Sequence, residues 1–336
     1  MMHLSTVSLL AVLPPLAGGN FGRTYLNPVP IVLVAAACVA YGWGVVAQNR
    51  LHPRHPWPVA RTLAFIGGVV VTIVAICSFL GAYDTTLFWV HMVQHLMLIM
   101  IAAPLFAVSS PIALALGATK GPAHRRILAV LRSRPGRIVG HPVTAFVLYG
   151  LLIPVTHLTV LFNYAIEWRA LDECEHLAFL LVGYLFWRQI LGADPNRYRA
   201  HPAIRALLLF LAVPVDTFVG LSLNSENHEI FPALAALHRT WGPSLVMDLH
   251  VGGVIMWVGG DSLMMLALIP VVVQWVRIEE RKAKRADREL EMFFLPERRR
   301  GQPTAGFALG SYVPAPAEPT APAAPAAAPP EAGGAP

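Results

Sequence analysis

The chain has 336 residues, of which 56% are hydrophobic and only 13% are charged. Soluble proteins carry about 25% charged residues, so this composition indicates a membrane protein and excludes a soluble dinucleotide-binding enzyme or a secreted disulfide scaffold. The long apolar runs also exclude a porin-like barrel, whose strands alternate apolar and polar residues. The net charge of +6 is spread over several separate segments, so we expect no nucleic-acid partner.

Seven apolar runs of about 20 residues or more predict seven membrane-spanning helices, and therefore an all-α, polytopic bundle. In chain order, the runs cover approximately residues 30–48, 61–82, 87–116, 141–163, 171–191, 203–223 and 245–276. The third run contains Pro104 and Pro111, which predict a kink or an early end because proline lacks the backbone N–H. Residues 1–29 form the segment before the bundle.

The distribution of basic residues predicts the orientation of the bundle. Of the 25 Lys and Arg residues, 22 lie in the connections after the first, third and fifth runs or after the seventh. The other three are Arg23, Arg169 and Arg239. The side that is rich in Lys and Arg is cytoplasmic by the positive-inside rule, so we expect an external N-terminus and a cytoplasmic C-terminus.

Two segments follow the membrane domain of residues 30–276. Residues 277–300 mix acidic and basic side chains at helical spacing, which predicts a charged cytoplasmic helix. Residues 301–336 are rich in Pro, Ala and Gly, a composition that is typical of a disordered tail.

Polar residues inside apolar runs are costly in a bilayer, and so they indicate functional sites. His91 and His95 lie at i and i+4 in the third run, so both rings face one side of the helix and can reach one metal ion. With the predicted topology, further polar and thioether side chains fall in the same layer near the external face. They are His157, Asp172, Cys174, Glu175, His176, Asp216, Asn224, Met247, Asp248 and His250.

This layer predicts a metal or haem site. Imidazole suits copper, zinc, iron and nickel, and neighbouring thioethers favour Cu(I), so we expect copper, with haem as the alternative. The predicted ligands are His91, His95, His157, His176, His250, Asp248, Met92 and Met247. For Asp216 and Asp261 two roles are open: a place in a path for protons or metal ions, or a role in helix packing.

Four stretches of the sequence resemble the CtaG-type family of bacterial cytochrome c oxidase assembly proteins. They are His91-Met92-Val93-Gln94-His95-Leu96-Met97 followed by Ala103-Pro104-Leu105, the segment around His157, Glu175-His176 leading to Leu185-Phe186-Trp187, and Asp248 through Gly252-Gly253-Val254-Ile255-Met256-Trp257. The resemblance implies a non-enzymatic assembly factor in the bacterial cell membrane. It further implies that the protein binds copper near the external face and passes it to oxidase subunits, alone or with another copper chaperone.

Overall fold

The computed structural model describes residue 14 and residues 28–192, 194, 195, 198 and 200–301, with side chains as far as residue 292. Within these residues the chain is all-helical and contains no strand, so the predicted fold class is confirmed. The predicted N-terminal segment, apart from residues 14, 28 and 29, lies outside the described residues. The same is true of the predicted tail after residue 301.

Fifteen α-helices and two π-helical segments make up the described chain. In order they are α1 (Pro28–Leu51), α2 (Val59–Cys77), α3 (Phe79–Tyr83), α4 (Phe88–Leu96), π1 (Met97–Ala102), α5 (Ala103–Ser109), α6 (Pro111–Gly117), α7 (Gly121–Arg132), α8 (Arg134–Val139), α9 (Pro142–His157), α10 (Leu161–Glu167), α11 (Arg169–Leu191), α12 (Pro202–Ser225), α13 (Pro232–Ala235), α14 (Leu245–Val254), π2 (Ile255–Gly259) and α15 (Gly260–Gly301). Each of the seven predicted runs falls on one of these helices or on a consecutive set of them.

Five spans in the described chain are long and apolar enough to cross a membrane. They are Pro28–Leu51, Val59–Tyr83, Phe88–Gly117, Pro202–Ser225 and Leu245–Met292. A sixth is added if α9 and α10, which are bent by 67°, form one span. The remaining predicted span is the fifth apolar run, which forms α11. The 23 residues of this helix include several charged side chains. The count of seven and the orientation therefore stay predictions, while several apolar helices support a multi-pass membrane protein.

Pro104 lies two residues after the π-helical segment in the middle of the third run. The N–H of Ala103 donates to the carbonyl of Leu98, one residue further back than in an α-helix. In this register the next donor would be Pro104, which has no N–H, so the carbonyl of Ile99 needs another partner. Trp187 supplies it, since its indole Nε1 lies 2.7 Å from the Ile99 oxygen. The hydrogen bond that Pro104 cannot donate is thus replaced by one that joins this helix to α11.

Close packing brings α11 against this segment. A Cβ atom at Gly183 would lie 2.9 Å from the Cβ of Ala103 and 3.2 Å from the Cα of Ile99, so only glycine allows the two backbones to approach this closely. The break predicted near Pro111 is also present, because Ser110 adopts a left-handed conformation with φ of 52° between α5 and α6.

The chain divides into two compact units, residues 1–281 and 282–336. The first unit contains the apolar helices and the whole candidate site. In the second unit, the described residues belong to α15, and their side chains are exposed as far as residue 292.

Candidate metal site

Helix α4 places His91 and His95 one turn apart on its buried face. Their ring centroids are 4.1 Å apart, and both side chains are almost fully buried. The first turn of α4 is held by Asp248, whose two carboxylate oxygens accept the backbone N–H groups of Phe88 and Trp89 at 3.1 and 3.0 Å. The carboxylate of α14 thus caps α4 and fixes the position of the histidine pair.

His157 enters the site from the last turn of α9. Its Nδ1 lies 3.1 Å from the carbonyl oxygen of Ile153 and 2.7 Å from the hydroxyl oxygen of Thr156. A carbonyl oxygen only accepts hydrogen bonds, so Nδ1 carries the proton and Nε2 keeps a lone pair. Second contacts of this kind orient histidine ligands in metal sites.

Glu175 of α11 completes the first cluster of ligands. One carboxylate oxygen lies 4.0 Å from His91 Nε2, and the other lies 4.0 Å from His95 Nε2. His91, His95, His157 and Glu175, which we call the Glu175 group, each offer a ligand atom, and these atoms lie within 4.8 Å of one another. Ligands at about 2.1 Å from a central ion are about 3.4 Å apart in a tetrahedron, so an inward movement of about an ångström would complete the coordination.

His91 also belongs to a second cluster. His91, Asp172 and His176, the Asp172 group, likewise offer ligand atoms within 4.8 Å of one another, and all three side chains are buried. Asp172 Oδ1 lies 3.8 Å from His176 Nε2, and the rings of His91 and His176 have centroids 6.1 Å apart. Two potential coordination sites therefore share one imidazole.

Most polar atoms of the two groups have no hydrogen bond to a described residue. Among the described residues, none donates to or accepts from the ring nitrogens of His91, His95 and His176 in standard geometry, and the carboxylate oxygens of Glu175 and Asp172 are equally without one. Buried polar atoms are normally hydrogen-bonded, and leaving them without a partner costs about 1–3 kcal/mol each. A bound cation would use these lone pairs.

Arg169 lies where the Asp172 group approaches the end of the bundle. Its Nη1 is 3.2 Å from both Asp84 Oδ1 and Asp172 Oδ2, and its side chain keeps 32% exposure. Burial, reinforced by the charge of Asp172, raises the pKa of Asp84 to about 6, although the guanidinium of Arg169 opposes the shift. This end of the site thus concentrates negative charge around one cation.

A small cavity of about 20 Å³ adjoins the Glu175 group. His95, His157 and Asp216 line it, together with three thioether side chains, those of Met92, Met100 and Met256. This volume holds about one water molecule. Met92, a predicted ligand, therefore lies beside His95 and His157 of the Glu175 group.

Three other predicted ligands lie outside both groups in the structure. Asp248 caps α4 and forms an ion pair with Arg239, with Nη1 3.1 Å from Oδ2. The Nε2 of His250 contacts the backbone oxygen of Glu226 at 2.6 Å, and the Met247 side chain is 54% exposed. These positions give the three residues structural contacts or solvent exposure.

Asp216 and Asp261 each accept a hydrogen bond from a neighbouring hydroxyl group. The Tyr149 hydroxyl donates to Asp216 at 2.9 Å, and the Thr217 hydroxyl donates to Asp261 at 2.7 Å. Both bonds join different helices. Of the two predicted roles, these contacts support helix packing.

Sequence reasoning placed Glu175 and Asp172 in the polar layer but did not name them as ligands. The signal that could have identified them is their spacing on α11. Asp172, Glu175 and His176 lie at i, i+3 and i+4, so all three face one side of the helix.

Comparison with known proteins places the site in a family. The model of the cytochrome c oxidase caa3 assembly factor family matches residues 39–278. The chain belongs to this family. The matched region contains every residue of the Glu175 and Asp172 groups, and the predicted resemblance is confirmed.

Curated relatives of this chain come from mycobacteria. It is 31% identical over 261 residues to uncharacterised proteins of Mycobacterium bovis and Mycobacterium tuberculosis, and 30% identical over 269 residues to one of Mycobacterium leprae. These matches cover 75–77% of this chain but only 39–41% of the relatives. The chain thus spans about two fifths of the length of the curated relatives that it matches. No solved structure matches it significantly.

Proposed function

We propose that this chain is a non-catalytic assembly factor that binds copper at the Glu175 group and delivers it to a cytochrome c oxidase. The observation that carries the proposal is the convergence of three imidazoles and one carboxylate, all buried, with ligand atoms within 4.8 Å of one another. The more general role, in the assembly of a caa3-type oxidase, is the one that the family description gives. The ion and its delivery are our inference.

The chemistry of the donor atoms supports a transition metal. Three imidazoles with one carboxylate suit copper, zinc or iron, whereas magnesium and calcium prefer oxygen ligands alone. The resemblance to oxidase assembly proteins selects copper among these ions. Met92, which lines the cavity beside His95 and His157, is a candidate for a thioether ligand and supports the Cu(I) state.

The packing of the rings supports a single ion rather than haem. The centroids of His95 and His157 are 5.2 Å apart, and Phe179 stacks on His95 at 3.9 Å. A porphyrin needs a pocket of several hundred Å³, while the cavity that adjoins these rings measures about 20 Å³. An ion fits between the four ligands with only small side-chain movements.

The location and partners follow from the same proposal. The protein is a membrane protein of the bacterial plasma membrane, and the Glu175 group lies near its external face if the predicted orientation is correct. Copper would be received there, from another chaperone or directly, and passed to an oxidase subunit on the same side. We infer no nucleic-acid partner.

The test is metal analysis of the purified full chain and of matched variants. We expect about one copper per chain in the wild type, no Soret band, and a loss of copper affinity of at least tenfold in Glu175→Gln and His157→Ala. Glu167→Gln and His55→Ala, which alter exposed residues outside the site, are the controls and should retain copper. Thermal unfolding of each variant reports whether the protein is folded.

Two results would overturn the proposal. A wild type that binds zinc or haem in preference to copper would contradict the choice of ion. Normal copper affinity in the folded Glu175→Gln and His157→Ala variants would remove the Glu175 group as the site.

A further inference from the structure

The Asp172 group also has the properties of a metal site, and it shares only His91 with the Glu175 group. Asp172 and His176 are buried, and no described residue forms a standard hydrogen bond with the carboxylate oxygens of Asp172 or the ring nitrogens of His176. Arg169 forms an ion pair with one oxygen of Asp172, but burying the remaining lone pairs of Asp172 and His176 is unfavourable unless a ligand compensates. The proposed copper site alone does not account for them.

A groove reaches the Asp172 group at His176. This groove of about 470 Å³ runs between α1, α2 and α11, and His176 lines it together with Arg169, Glu173 and Cys174. Of the Glu175 group, His95 and His157 line the small cavity of about 20 Å³, and no member of the group lines the groove. An ion that arrives through the groove therefore meets His176 first.

Charge at the end of the groove favours cations. Arg169 lies 3.2 Å from Asp172 and from Asp84, and its Nε lies 3.5 Å from Glu173. Three carboxylates thus surround one guanidinium, so a second positive charge near Asp172 would be stabilised by opposite charge within a few ångströms. His176 adds an imidazole to this oxygen-rich environment.

His91 connects the two groups. It offers one ligand atom to Asp172 and His176 and one to His95, His157 and Glu175. An ion held by His91 could exchange its other ligands one at a time without leaving the protein. This exchange changes only coordination bonds, and needs no oxidant or reductant.

We propose that the Asp172 group is an entry station, which receives the ion from the groove and passes it through His91 to the Glu175 group. The inference rests on the proposed function, since it assumes that copper is retained by the Glu175 group. One ion at a time occupies the pair, because His91 serves both.

The experiment measures the rate of copper uptake separately from its final occupancy. The full chain, purified in nanodiscs, is mixed with Cu(I) held by a chromophoric chelator, and transfer is followed by the loss of chelator absorbance. We expect Asp172→Asn and His176→Gln to slow uptake at least tenfold, while occupancy after equilibration stays within twofold of the wild type. Glu175→Gln should instead lose occupancy. Asp287→Asn and His228→Ala, at exposed positions, are the controls.

Each result has a definite meaning. Wild-type uptake rates in both folded entry variants would overturn the entry station alone. Equal loss of rate and occupancy in these variants would also overturn it, by placing Asp172 and His176 in one site with Glu175. Two copper ions per wild-type chain would show two independent sites and would contradict the transfer through His91. No copper binding by the wild type would overturn the proposed function, and this inference with it.

Discussion

The Nδ1 atom of His157 lies 3.1 Å from the carbonyl oxygen of Ile153, within the same helical turn. Because the carbonyl accepts, the proton of the imidazole lies on Nδ1, which leaves Nε2 with a lone pair for a metal ion. The hydroxyl of Thr156, 2.7 Å from the same nitrogen, supports this arrangement. The orientation of His157 therefore depends on its neighbours in α9 as well as on any bound ion.

Replacing Thr156 with Val should weaken copper binding without removing a ligand. The substitution keeps the shape of the side chain but removes the hydroxyl beside Nδ1, and contacts of this kind contribute about 10–100-fold to metal affinity. We expect a loss of about tenfold, measured by competition with a chelator of known affinity.

Thr159→Val is the matched control for this measurement. The hydroxyl of Thr156 donates to the carbonyl of Leu152, one turn back. Thr159 donates in the same way to the carbonyl of Val155, but it is exposed and lies outside the site. Its replacement should leave copper affinity unchanged. Equal effects of the two substitutions would show that the hydroxyl of Thr156 has no particular role in orienting His157.

Much of the fold follows from local sequence. The apolar runs predict where the helices lie, because a bilayer requires about 20 apolar residues for each crossing. Pro104 and Pro111 predict the irregular third run, and the structure contains π1 just before Pro104 and a break at Ser110 just before Pro111. The bend between α9 and α10 was not predicted, since the apolar run of residues 141–163 continues through it.

The candidate site was predictable in part. The i, i+4 spacing of His91 and His95 identifies a shared face, and matched depth brings His157 and His176 to the same layer. Asp248 shows that a position in the same membrane layer does not make a residue a member of the site. It lies in the same layer, yet its carboxylate contacts the backbone of Phe88, 160 residues earlier in the chain. Such a contact depends on how α14 packs against α4, and no local pattern in the sequence encodes it.

Asp248→Ala should destabilise the protein strongly. The substitution leaves Arg239 buried without its carboxylate partner and removes the cap of α4. Breaking a buried ion pair costs about 3–5 kcal/mol, so we expect a clearly lower Tm in detergent solution. Arg239→Ala should have a similar effect, and the double variant should lose less than the sum of the two single variants.

The same variant distinguishes the structural role of Asp248 from the role of a ligand, which the sequence predicts. Copper affinity is measured well below the Tm, where Asp248→Ala is still folded. With a structural role, its affinity should remain far above that of Glu175→Gln. Copper loss as large as in Glu175→Gln, with an unchanged Tm, would restore Asp248 as a ligand.

The stability of the protein should depend on pH through Asp84. Its pKa in the folded protein is about 6, raised from 3.8 mainly by burial. The folded state therefore binds this proton more tightly, so its stabilising effect is complete below about pH 4 and is lost as the pH rises through 6. Two pKa units correspond to about 3 kcal/mol.

The Asp84→Asn variant tests this dependence. It lacks the titrating group, so its free energy of unfolding should rise relative to that of the wild type between pH 4 and 7. Asp287→Asn, at an exposed position, should show no such trend. A constant difference between Asp84→Asn and the wild type over this range would contradict the raised pKa.

The orientation of the bundle decides where copper would be received. Of the 25 Lys and Arg residues, 22 lie on the side that is predicted to be cytoplasmic, and short basic connections are retained on that side. A reporter enzyme that is active only outside the cytoplasm should therefore be active when it is inserted between residues 226 and 239, and inactive when it is fused after residue 300. A reporter that is active only in the cytoplasm should give the opposite pattern at both positions. The loop of residues 226–239 leads into α14, whose Asp248 caps the first turn of the helix that carries His91 and His95. If this loop proved to be cytoplasmic, the Glu175 group would lie near the inner face, and delivery of copper at the external face would be wrong.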